Sequence, residues 1–119
     1  MAKEELQKKV DLSFLSAFYG GLLTDKQRQV LSLHCEEDLS LGEIAEEVGI
    51  SRQAVHETIT RAASRLNEME ASLGMAARFR RMESGLEEAL ASLREKDNGK
   101  AERILTELIN YESEESNGI

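Results

Sequence analysis

The sequence predicts an all-α protein with a helix-turn-helix core, followed by a long helix and a C-terminal helical hairpin. Three observations carry this. The 119 residues are 40% hydrophobic but only 4% aromatic, with no proline and no tryptophan. The apolar content is therefore Leu, Ile, Val, Ala and Met, which suits helices, whereas an all-β domain needs more β-branched residues, aromatics and turn signals. Apolar residues also recur three and four apart along most of the chain, and Ser or Thr starts and Gly stops punctuate them.

The elements follow in order. A first helix is expected from Lys3 to Tyr19, with Val10, Phe14 and Phe18 on one stripe and Leu12, Leu15 and Tyr19 widening it. Gly20-Gly21 stops it. Thr24-Asp25-Lys26-Gln27 reads as a capping box, in which the threonine oxygen takes the Gln27 amide and the glutamine reaches back. The helix it opens runs to about Cys35 and buries Val30, Leu31 and Cys35. Glu36-Glu37-Asp38 form a solvated link. Ser40-Leu41-Gly42-Glu43 is a second capping box and opens a short helix, Leu41–Val48, ended by Gly49. Ser51 caps a long helix from Arg52 to Leu73.

In that long helix Val55, Ile59, Ala62, Leu66, Met69 and Leu73 are spaced 4-3-4-3-4, an a/d repeat. The first half can pack on the helix-turn-helix; the second needs another partner. Gly74 breaks the helix. A fifth helix, Met75–Lys96, carries a similar seam at Phe79, Met82, Leu86, Ala89 (or Leu90) and Leu93. Asp97-Asn98-Gly99 marks a turn, and Lys100–Tyr111 forms a sixth helix with Ile104, Leu105, Leu108 and Ile109 apolar. Three segments result: residues 1–73, a helix-turn-helix domain without a wing; residues 74–111, a packing or dimerisation segment; and residues 112–119, a polar tail expected to be disordered.

Charge and cysteine use restrict the function classes. The single cysteine, Cys35, cannot form an internal disulfide, which fits a reducing compartment. No stretch approaches the roughly 18 apolar residues that would span a bilayer, so the expected location is the cytoplasm, without membrane insertion. Net charge is −8. It divides as −2 over residues 1–40, zero over 41–81 and −6 over 82–119. The acid is thus C-terminal and the helix-turn-helix is locally neutral, whereas tight autonomous nucleic-acid binders are usually basic. No Cys/His spacing matches a metal site, and neither a phosphate-binding glycine loop nor a nucleophile motif is present in the sequence. No enzyme, cofactor or metal is expected.

The most informative string is Leu39–Leu66. A helix-turn-helix needs a small residue where its helices cross, and Ala45 fits. The turn needs a residue that accepts positive φ, and Gly49 stands four residues on. Ile44, Val48, Ile50, Val55 and Ile59 complete the core. Thr58 occupies a position that is usually apolar, with Ile59 taking over. If that stripe is buried, a rotation of about 100° per residue puts Gln53, Glu57, Thr60, Arg61 and Ser64 on the outer face, with His56 and Arg65 on its flanks. Gln53 could read adenine, Arg61 guanine and Glu57 cytosine. Ser51 and Arg52 could hold phosphate. The alternative is an ordinary solvated helix face.

At these residues the chain closely resembles the YlxM family. The resemblance is carried by Phe18-Tyr19, by Leu22-Leu23-Thr24-Asp25-Lys26-Gln27-Arg28, and by Leu39–Ala54 with Ser51-Arg52-Gln53-Ala54-Val55. It covers roughly Phe14–Leu73. It departs from the family pattern at His34-Cys35 and at His56-Glu57. The resemblance implies a helix-turn-helix similar to region 4 of sigma factors. It also implies a regulatory or accessory role in the signal recognition particle pathway, because genes of the family neighbour those of the particle's GTPase and its receptor. The implied partners are that GTPase, its receptor or the particle's RNA. The rival expectation is a sequence-specific DNA-binding transcription regulator.

Two features stand outside the motif. Arg78, Arg80 and Arg81 form a basic patch that could grip a partner or a phosphate backbone, or be neutralised by Glu70, Glu83 and Glu87 at helical spacings. The seams at Val55–Leu73 and Phe79–Leu93 fit either a bundle within one chain or a homodimer.

Overall fold

The computed structural model describes residues 2–117, and every regular element among them is helical. Helix α1 spans Ala2–Tyr19 and a 3-10 turn spans Gly20–Leu22. Then come α2 (Asp25–Cys35), α3 (Leu41–Val48), α4 (Arg52–Leu73), α5 (Met75–Arg94) and α6 (Asn98–Asn117). The chain divides into two compact units, Met1–Ala76 and Ala77–Ile119. No helix among the described residues is long and apolar enough to cross a membrane.

Local chemistry sets the ends of the helices in the first unit. Thr24 Oγ1 accepts from the Gln27 N–H at 3.1 Å, and Gln27 Oε1 accepts from the Thr24 N–H at 3.0 Å. Ser40 and Glu43 repeat the arrangement at the start of α3. The Ser40 N–H, then the Ser40 side chain, hold the Glu43 carboxyl below the usual carboxylate range. Each cap satisfies amides that a helix start leaves without partners, and contributes about 1 kcal/mol.

The first unit buries two adjoining clusters. One joins Tyr19, Leu23, Leu31, Ala62, Leu66 and Met69, with Leu12, Leu15, Phe18 and Cys35 packed against it. The other joins Val30, Ile44, Ala45 and Val55, flanked by Leu33, Leu39, Leu41, Val48 and Ile50. Ile59 touches both. The second half of the α4 seam thus has its partner within the chain, in α1, α2 and Leu23 after the 3-10 turn. Two seam expectations need correcting. Val10 is exposed, because the cover over α1 begins at Leu12. Leu73 is exposed, because the seam ends at Met69.

A hydrogen-bonded knot closes this unit. The buried Tyr19 hydroxyl donates to Glu70 Oε1 at 2.6 Å and accepts from the Met75 N–H at 3.0 Å. Glu70 Oε1 also accepts from the Ala76 N–H at 3.0 Å. Tyrosine and glutamate together therefore serve the first amides of α5. Burial, then the bond to Glu70, pushes the Tyr19 phenol upward from its ordinary pKa.

In the second unit α5 and α6 pack through small residues. Ala89, Ser92 and Ala101 are buried with Leu108. A Cβ at Gly85 would lie 2.7 Å from Leu108 Cδ1, so glycine is what admits the leucine. Ser92 Oγ donates to the Glu88 carbonyl at 3.0 Å, so no partner is needed across the interface. Of the α5 seam residues, Ala89 turns inward, whereas Phe79, Leu86, Leu90 and Leu93 are exposed. Close approach excludes large side chains from the contact line, and the seam as expected from spacing lies beside it.

The helix ends differ from expectation for local reasons. Asp97 Oδ1 accepts from the Lys100 N–H at 3.1 Å. It is therefore a cap, and α6 opens at Asn98 inside the expected turn. At the far end α6 runs on to Asn117, past Tyr111, where disorder was expected. Arg78 Nη2 donates to Glu112 Oε2 at 2.7 Å and the Arg81 guanidinium lies 3.9 Å from the Tyr111 ring centroid. These contacts secure the turns at Tyr111 and Glu112 to α5. Residues 118–119 of the expected tail lie outside the described residues.

Candidate nucleic-acid interface

The candidate interface is built on α3, its turn and the first half of α4. Gly49 ends α3 at φ 78°, a left-handed conformation that costs a side chain about 1–2 kcal/mol per residue. Two residues on, Ser51 Oγ accepts from the Ala54 N–H at 3.0 Å and starts α4. Ile44 and Val55 are fully buried and Ala45 nearly so, while Val48, Ile50 and Ile59 are half-buried around them. Thr58 resolves its place in an apolar stripe by donating its hydroxyl to the Ala54 carbonyl at 2.7 Å. It thereby presents its methyl to the surroundings and keeps its polar atom satisfied.

With Val55 and Ala62 inward, the expected outer residues emerge together. Arg52, Gln53, His56, Glu57, Thr60, Arg61 and Ser64 are all exposed along α4. From Gln53 to Ser64 the strip is about 16 Å long, and an α-helix enters the roughly 12 Å major groove of B-form DNA. Among the described residues neither Arg52 nor Arg61 holds an ion pair. Both guanidinium groups are available to phosphate or to a base edge, and Glu57 is the acid between them.

Ser51 and Arg52 sit differently from a bare phosphate pair. The Ser51 oxygen is committed to capping, leaving its hydroxyl proton to donate. Arg52 lies over the start of α3, where a Cβ on Gly42 would come within 3.4 Å of its Nε. The guanidinium rests within ordinary van der Waals range of that position, in a shallow groove shared with Ser40, Glu43 and Glu46.

One part of the surface has no local signal in the sequence. A groove of about 620 Å³ runs between α1 and α4, with Lys8, Lys9, His34, His56 and Thr60 among its lining residues. Its walls carry both histidines, two lysines of α1 and the flank of the α4 strip. Lys9 pairs with Asp38. Burial, then the charge of Lys9, holds the His34 imidazole below its ordinary pKa. The Cys35 thiol is pushed up by burial, as fits a half-buried group packed against the first core cluster. No group of three His, Cys, Asp or Glu among the described residues is placed to hold a metal.

The basic patch lies in the second unit. Arg78 is half-buried and bound to Glu112, and Arg81 is engaged with Tyr111. These two guanidinium groups tie α5 to α6, through α6 partners that helical spacing along α5 does not reveal.

Residues 6–108 match the model of a family described as "Putative helix-turn-helix protein, YlxM / p13 like". A UPF0122 protein of Desulforamulus reducens is 40% identical over 90 residues, covering 76% of this chain and 77% of its own. UPF0122 proteins of Halalkalibacterium halodurans and Bacillus cereus strain AH187 are each 47% identical over 74 residues. Those matches cover 62% of this chain and 68% and 67% of theirs, respectively.

Proposed function

Because the chain belongs to the YlxM / p13-like helix-turn-helix family, we propose that it is a regulatory protein that acts by binding. The ligand we assign to α4 is a nucleic-acid duplex, read by the strip Gln53, His56, Glu57, Thr60, Arg61 and Ser64 and steadied by Ser51 and Arg52. The observation that supports this is the joint exposure of those residues over a helix whose opposite stripe is buried. B-form DNA is favoured over an RNA helix, since the deep major groove of A-form RNA does not admit side chains to base edges. Fluorescence anisotropy with labelled DNA duplexes tests it. Affinity should fall with salt, and Arg61→Ala should weaken binding by about 1–3 kcal/mol while relaxing the sequence preference. Salt-independent affinity that ignores Arg52 and Arg61 overturns it.

A second reading is favoured by the net charge of −8 and the acid within the strip. In it the chain is a cytoplasmic accessory protein of the signal recognition particle pathway and contacts the particle's GTPase, receptor or RNA. Its support beyond charge is the YlxM resemblance. Capture of partners from a cell extract with and without nuclease separates the two. Retention of the particle's GTPase or RNA supports the second reading, and recovery of DNA fragments alone removes it.

A further inference from the structure

We propose that this chain forms a symmetric homodimer through the α5–α6 hairpin, α5 crossing its own copy antiparallel about a twofold axis at Leu86. This inference is independent of what α4 binds. Phe79, Leu86, Leu90 and Leu93 each keep 47–48% of their surface in solvent, and on α6 Leu105 keeps 37% and Ile109 67%. Together with the half-buried Met82 they share one face. At about 100° per residue the α5 stripe lies to one side of the Gly85–Ala89–Ser92 contact line and Arg81 to the other. On α6, Leu105 and Ile109 lie opposite Tyr111. Arg81 sits over Tyr111, so the two apolar rows emerge together on the far side.

Two properties point to a second copy as the occupant. The first is extent. These side chains expose on the order of 500 Å² of apolar surface, at the upper range of the largest patch on a monomeric protein. A standard interface covers about 800 Å² per partner, with about 65% of it apolar in homodimers, which also comes to about 500 Å². The second is symmetry. From Leu86, Met82 and Leu90 stand four residues away on either side, and Phe79 and Leu93 seven. Reversing the helix reproduces the stripe, so a twofold axis places Phe79 against Leu93 and Met82 against Leu90. A self-complementary patch of this kind is what an isologous interface requires. The neighbouring Glu83 and Glu87 repeat on the second copy, so the attraction is apolar and salt does not dissolve it.

Sedimentation equilibrium of the full chain tests the proposal. The expected mass approaches twice 13.3 kDa as protein concentration rises and falls back on dilution, unchanged or favoured by added salt. Leu86→Glu should weaken association at least about 100-fold, because it buries a charge at the axis. Ser84→Glu, on the other flank of the hairpin, should leave it intact. A cysteine pair keeps the question open to test if Leu86→Glu fails to fold. In a Cys35→Ser background, Leu86→Cys should oxidise to a covalent dimer much faster than Ser84→Cys. A monomer at every concentration overturns the proposal. So does a dimer dissolved by salt, a dimer indifferent to a folded Leu86→Glu variant, or equal oxidation of the two cysteines.

Discussion

Helices α4 and α5 carry nearly the same apolar spacing but occupy opposite environments. On α4, Val55, Ala62 and Leu66 are fully buried, whereas on α5 Phe79, Leu86, Leu90 and Leu93 remain about half in solvent. The difference lies in what crosses each helix. Tyr19, Leu23 and Leu31 meet α4 with large side chains that fill the space over its seam. α6 meets α5 at Gly85 and Ala89, and Leu108 fits only because Gly85 has no side chain. A heptad stripe therefore specifies that a face is apolar. The residues opposite decide which partner covers it.

One substitution made in both seams separates the two helices most widely. Leu66→Ala opens a cavity between α1, α2 and α4 and should cost about 3 kcal/mol. Leu86→Ala, studied at high dilution, should cost less than about 0.5 kcal/mol, like other surface changes. Urea denaturation of the two variants measures both, and equal losses would mean that the α5 stripe is covered within its own chain. Next in size is Tyr19→Phe. It strands the Met75 amide and removes a donor from Glu70, with an expected loss of about 2 kcal/mol in thermal unfolding. A loss near zero would show that water replaces the hydroxyl.

Smaller is Ser40→Ala, which removes the cap of α3 and should cost about 1 kcal/mol. Its effect should appear in unfolding of the helix-turn-helix and leave the self-association of the hairpin unchanged. The smallest effect is a pH dependence from His34. Burial lowers its pKa in the fold, so below about pH 6.5 the unfolded chain binds more protons than the native one. Stability should fall with pH through that range and be restored as pH rises above it. Melting temperatures at several pH values check this, and His34→Gln should flatten the profile. An unchanged profile in the variant would assign the dependence to another group.

How much could be read from the sequence follows the same division between near and distant partners. The capping boxes at Thr24 and Ser40, the turn at Gly49 and the exposed strip of α4 depend on residues within a few positions of one another. All-α class, helix order and the helix-turn-helix were therefore legible. The Tyr19–Glu70 knot joins residues 51 apart, and the Arg78–Glu112 pair residues 34 apart. No local pattern announces either. The groove lined by both Lys8 and His56 depends on how α1 crosses α4, which apolar spacing along α1 left open. Val10 shows the limit: it keeps the period of Phe14 and Phe18, yet the core begins beyond it.

Helix α2 supplies Leu31 to one core cluster and Val30 to the other. Neighbours in sequence diverge by about 100° around a helix, so the helix stands as a partition with one buried side chain on either hand. A single inserted or deleted residue before Val30 would turn both away from their clusters at once, because the two side chains move together. Substitutions of similar volume can be absorbed at either position, but a change of register cannot. α2 should therefore tolerate insertions poorly, and random indel libraries selected for folding should leave it uninterrupted.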